Sequence, residues 1–256
     1  MAPELTDTKF YLSPIFFSLM NNPYGYDPMV EEQSHSLSFP KLMSKVYLWM
    51  TMALAMTGLT AFWVAGNEAL VYAIASSKLL FWGLILAELA LVLMLSARIH
   101  KLSFAAAGTS FALYAILNGV TMSVILLTYT MESVASTFFI TAGTFGAMSL
   151  IGLGIKRDMS RIGRFLFMAL IGLIVATIAN YFLASSGLAM ILNYVGVLIF
   201  CGLTAYDTQK MKEILAQSED AGSENMQKIA LLCSLSLYLD FINLFLYLLH
   251  IFGDRD

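Results

Sequence analysis

Residues 231–252 read LLCSLSLYLDFINLFLYLLHIF. The run is about as long as a helix needs to cross a bilayer. It also carries an acid, Asp240, near its middle. An aspartate at that depth costs several kcal/mol unless it has water, a proton or a partner. Its polar neighbours do not scatter. Ser236, Asp240, Asn243 and Tyr247 are spaced by 4, 3 and 4 residues, which places them on one helix face, and Cys233 extends the line. A helix that is apolar elsewhere and carries one such stripe belongs inside a bundle, with the stripe toward a pathway or polar partners.

The preceding apolar run repeats the theme. Residues 198–212, LIFCGLTAYDTQKMK, place Asp207 near its end, three residues before Lys210. Asp240 lies about 16 Å of helix rise inside its own span. The two acids therefore meet only if the sixth helix continues past Lys212 or a watery vestibule reaches inward. Two carboxylates a few ångströms apart cannot both ionise cheaply, so such a pair holds one proton between them. Losing it would leave two repelling charges and an oxygen-rich mouth suited to a hard cation such as calcium.

The rest of the chain supports this setting. Of its residues 59% are hydrophobic and 12% charged, against about 25% charged in an ordinary soluble domain. The expected class is an all-α membrane protein with seven transmembrane helices. The runs are 42–66, 78–98, 103–128, 133–155, 163–185, 188–211 and 229–252, with a short interfacial helix at 68–77. Residues 1–40 contain all five prolines and form an N-terminal tail expected to be partly disordered, with NNPYGYDP and EEQSHS as loop; residues 41–253 form the transmembrane domain. No cleavable signal peptide is visible at the start. The loops are short except 212–228, which is polar. Gly143, Gly146, Gly152 and Gly154 in the fourth span, and Ala105–Gly108 in the third, permit close helix approach.

With the N-terminus in the cytoplasm, twelve Lys and Arg face inward, against Lys78 and Arg255 outside. The positive-inside rule favours that orientation. The slightly negative net charge of -3 lacks the basic footprint of a nucleic-acid binder. Cys201 and Cys233 read as packing thiols in separate helices, and His35, His100 and His250 lack metal-ligand spacing. No cofactor is expected. Glu88, within LILAELALVLML, is a further pore-lining candidate, expected to be protonated or to share the polar interior with Ser236, Asn243 and Tyr247. Arg98 ends the same span at the depth of Asp207 and is its candidate salt-bridge partner. Asn118, Thr121, Asn180 and Asn193 read as hydrogen bonds between helices.

LSLYLDFINLFLYLLHIFG (235–253) resembles the signature of the transmembrane Bax inhibitor motif family, and GLTAYDTQKMK (202–212) resembles its sixth-helix motif. The resemblance covers about residues 40–253 and is closest to the bacterial inner-membrane branch. It implies six helices surrounding a central seventh and a pH-sensitive calcium leak. The sensor and gate residues are then Asp207, Asp240 and Arg98, with Glu88 as the acid of helix two. Calcium would meet Asp207 and Asp240 only in transit. The spacing of Arg98 from Glu88 is shifted by one residue from the family pattern, and the loop between the aspartates is longer than in compact members. Some bacterial relatives are linked to a membrane-anchored AAA protease of the FtsH type, so a regulatory role at that protease, gripping residues 1–40, is the alternative. A proton-coupled carrier is a third reading. An intramembrane aspartyl protease is not expected: SLYLD (236–240) stands where such enzymes carry GxGD, and no proline follows Pro40.

Overall fold

The computed structural model describes residues 28–216 and 223–254. Among these are eight α-helices and no strand: α1 (Pro28–Ala65), α2 (Glu68–Ser76), α3 (Lys78–Arg98), α4 (Phe104–Leu126), α5 (Met131–Gly154), α6 (Ser160–Leu183), α7 (Ser186–Ala216) and α8 (Glu224–Phe252). All but α2 are long and apolar enough to cross a membrane, giving the seven expected spans.

The helix starts follow from local chemistry. Asn67, Ser77, Ser103, Thr130 and Ser223 each precede a helix, and each side-chain oxygen accepts from a backbone N–H of the first turn. That satisfies one of the donors a helix start leaves orphaned. In the loop before α6, Asp158 plays a similar part, accepting from the Ser160 backbone N–H at 2.8 Å and from its hydroxyl at 2.5 Å. These bonds hold the Asp158 carboxyl below the usual carboxylate range.

Two segments differ from expectation because hydropathy marks the bilayer rather than the helix ends. Helix α1 begins at Pro28, so EEQSHS is helical and Pro40 lies inside a helix. Pro28 opens the first turn, where a missing N–H costs nothing. Residues 1–27, the remainder of the expected tail, lie outside the described residues. Within the segment 212–228, residues 212–216 and 224–228 are also helix: α7 runs on to Ala216 and α8 starts at Glu224. Both extensions are anchored. Lys212 Nζ donates to the Leu153 carbonyl at 2.6 Å and Gln209 to that of Arg157 at 3.2 Å, which caps the end of α5. Buried Lys228 donates to the Leu102 carbonyl at 3.1 Å, while Glu224 accepts from the Phe104 N–H at 2.9 Å.

The core lies around α8, whose most apolar stretch is 61% buried, against 6% for α3. Helices α1, α4, α5 and α7 pack on α8, while α3 packs mainly on α4, and α6 on α7. Tyr238, Leu237, Leu244 and Leu249 of α8 are fully enclosed. The outer helices expose Leu79, Trp63 and Phe182, as surfaces facing hydrocarbon do. Of the glycines in α5, Gly152 makes the close crossing: a Cβ there would run into the Ala205 backbone of α7. Gly143, Gly146 and Gly154 face open space instead.

Candidate functional site: an acid on each side of one helix

Helices α7 and α8 run antiparallel with their polar residues aligned. The Ser236 hydroxyl of α8 donates to Asp207 Oδ2 of α7. Continuation of α7 to Ala216 puts Asp207 well inside its helix and removes the depth mismatch read from hydropathy. Asp240 lies one helical turn beyond Ser236. It is 5% exposed, and its Oδ2 is buried without a hydrogen-bond partner. Among the described residues no hydrogen bond joins the two carboxyls. Among the described residues, too, no Lys or Arg forms an ion pair with either acid; the salt bridge described is Lys228–Glu224 at 3.9 Å. An ionised Asp240 would therefore be a buried charge with no counter-charge among them. The arrangement suits a group that keeps a proton or meets a cation.

The other stripe residues, Cys233 included, are less buried than Asp240. Ser236, Asn243 and Tyr247 are half-buried, and with Leu232, Leu239, Leu246 and His250 they form the one partly accessible line along α8 among the described residues. Asn243 turns its amide back to the Leu239 carbonyl at 2.8 Å. Cys201 and Cys233 are free thiols on separate helices, as expected. Arg98 is exposed at the end of α3 and makes no ion pair with Asp207.

Glu88 stands apart from this stripe. Thr121 donates to its Oε1, and Asn118 Nδ2 donates to its Oε2 at 3.3 Å. Both partners are on α4, as expected of residues bonding between helices. The Asn118 carbonyl accepts from the Tyr238 hydroxyl at 3.1 Å, and that hydroxyl lies 2.7 Å from Thr57 Oγ1 of α1. Thr57 also donates to the Ala115 carbonyl at 2.9 Å. Tyr238 lies two residues before Asp240, and at 100° per residue it points to the opposite face of α8. Glu88 and Asp240 thus belong to separate polar clusters on opposite sides of α8. Sequence reading missed Tyr238 and Thr57. The available signal was that a tyrosine inside an apolar helix needs a partner for its hydroxyl. Asn180 differs too, since its side chain accepts from Ser185 at the end of its own helix.

The profile of the family described as "Inhibitor of apoptosis-promoting Bax1" matches residues 40–256. The chain is 48% identical over 213 residues to the inner membrane protein YbhL of Escherichia coli strain K12, covering 83% of this chain and 91% of that one. It is 45% identical over 214 residues to an uncharacterized protein of Deinococcus radiodurans (84% and 90% covered). With an uncharacterized protein of Borreliella burgdorferi it shares 39% over 227 residues (89% and 97%). The matched region begins where α1 becomes apolar and contains all seven spans, Asp207 and Asp240. This chain is a multi-pass membrane protein and belongs to the Bax inhibitor-1 family.

Proposed function

We propose that the protein is a pH-sensitive leak channel for calcium in the bacterial inner membrane, gated by proton exchange at Asp207 and Asp240. The observation that carries this reading is the buried, unpartnered Oδ2 of Asp240, one turn from the Asp207–Ser236 bond across the α7–α8 contact. With a proton present, one of the two carboxyls is neutral and the helices stay packed. When the proton leaves, two negative charges face each other at low dielectric, and their repulsion drives α7 and α8 apart. The opened mouth presents carboxylate, hydroxyl and carbonyl oxygens, the donor set of a hard cation. Inner-membrane placement rests on the likeness to YbhL, and a cytoplasmic N-terminus rests on the twelve-to-two distribution of basic residues. A latch from Arg98 to Asp207 belongs to an arrangement of α3 other than the one described. The role proposed is passage of an ion down its gradient, in which the only bond exchanged is that of a carboxyl proton passing to water.

The sign of the pH response follows directly. Calcium flux in proteoliposomes rises from acid to alkaline pH, and Asp207→Asn or Asp240→Asn flattens the rise, with sodium and potassium measured as controls. An unchanged pH profile in both variants removes the gate. A role beside a membrane-anchored AAA protease uses the N-terminal tail and is separable: deleting residues 1–27 would abolish protease association while leaving flux intact.

A further inference from the structure

A second polar region lies at the end of the bundle away from the basic loops. A cavity of about 360 Å³ opens between α6, α7 and α8. Its polar lining is Thr177 and Asn180 of α6, Asn193 of α7, and Asn243, Tyr247 and His250 of α8. These three carboxamides, two hydroxyls and one imidazole share the wall with Ala189, Leu192 and Leu246; Thr177, Asn243 and His250 each bond a carbonyl of their own helix, leaving their remaining polar capacity to the cavity, and no acid or permanent cation lines it. His250 and Asn180 stand within a turn of their helix ends, whereas Asn243 lies deeper, one turn from Asp240. The cavity thus runs from the rim of the bundle to within one turn of the buried acid.

Tyr247, which lines the cavity, belongs to an aromatic pair. The Tyr247 ring lies on Gly196, where an added Cβ would approach it to 2.7 Å. It also stacks on the buried Phe200 ring, with centroids 5.8 Å apart and planes at 28°. The antiparallel register is fixed by Gly196 against Tyr247 and by Asp207 against Ser236. Phe200 therefore falls at the level of Asn243, the deep end of the cavity, one turn short of the level of Asp240. Leu203, buried on the same face of α7, comes next.

We propose that this cavity is the second mouth of the ion path, a water-filled vestibule for a hydrated cation, and that the Phe200–Tyr247 stack is the plug closing it from Asp240. The inference rests on the channel reading. A neutral, hydrogen-bonding vestibule holds an ion with its water shell and does not trap it. An apolar constriction then stops the hydrated ion where it would have to shed that shell. The path has two closures of different chemistry: a protonated acid pair toward the basic end and an aromatic pair toward the other.

The test combines labelling with flux in the full chain carrying Cys201→Ala and Cys233→Ala. A charged, membrane-impermeant methanethiosulfonate is added to sealed membrane vesicles, on the side that labels a Lys78→Cys control. Asn193→Cys should react readily. Leu203→Cys should stay unreactive with Phe200 in place and become reactive in combination with Phe200→Ala. Calcium flux of Phe200→Ala at acid pH should rise severalfold over the parent. Phe200→Leu, which keeps apolar bulk, serves if the alanine variant does not purify as a single species, and it should show the same changes to a smaller degree. An unreactive Asn193→Cys, a reactive Leu203→Cys behind intact Phe200, or unchanged labelling and flux on removing the ring would each overturn the proposal. If the parent protein passes no calcium at any pH, the channel reading falls, and the labelling still decides whether the vestibule and plug exist.

Discussion

Glu88 and Asp240 are both acids inside apolar helices, and the fold treats them differently. Both carboxylate oxygens of Glu88 accept hydrogen bonds, from Thr121 and Asn118, and the chain of bonds continues through Tyr238 to Thr57. Four helices, α1, α3, α4 and α8, are tied through it. Asp240 is more deeply buried, yet one of its oxygens has no partner, and the polar group one turn away is bonded to another acid, Asp207. Satisfied polar groups rigidify a bundle; an unsatisfied one is stable only with a proton, a water or an ion. In the structure Glu88 is a satisfied tie between α3 and α4, whereas Asp240 is a buried acid with an unpartnered oxygen.

Substitutions at four positions would break or sharpen this contrast. Asp240→Asn is expected to have the largest effect on activity, removing most of the pH dependence of flux while leaving thermal stability equal or higher, because an amide needs no proton to be neutral. Equal flattening by Glu88→Gln would erase the distinction between the clusters; the expected profile for that variant keeps the parent midpoint. Tyr238→Phe should act the other way. It strips the Asn118 carbonyl and Thr57 of a shared partner at a cost of about 1–3 kcal/mol, read as a lower melting temperature in detergent, with the pH midpoint retained. The smallest effect belongs to Ser236→Ala, which deletes the donor to Asp207 without touching either acid. Its midpoint should move toward higher pH, since the ionised Asp207 loses a hydrogen bond that favours it, while the steepness stays the same.

The seven spans were legible in the sequence because each is a long run of apolar residues, and Ser77, Ser103, Thr130 and Ser223 cap the starts of four of them. The stripe on α8 was legible because its polar residues keep helical spacing. Hydropathy was silent on where helices continue into water, as with Lys212 to Ala216 and Glu224 to Lys228, since polar helical turns and polar loops look alike to it. Asn118 and Thr121 were correctly read as bonding between helices. Tyr238, Thr57 and Phe200 were hidden for another reason: within an apolar run, an aromatic ring or lone threonine does not announce its neighbour, and the pairing is set by register between helices far apart in sequence. The crossing at Gly152 was likewise one of several equivalent candidates until the α7 backbone lay against it.

The central claim is that a proton leaves the Asp207–Asp240 site as the channel opens. Infrared difference spectroscopy of the reconstituted protein, scanned across the pH range of the flux transition, tests it most directly. A protonated-carboxyl band should disappear in step with rising calcium flux, be absent in Asp240→Asn, and persist in Glu88→Gln. A band that survives Asp240→Asn unchanged, or vanishes with Glu88→Gln instead, would contradict the account.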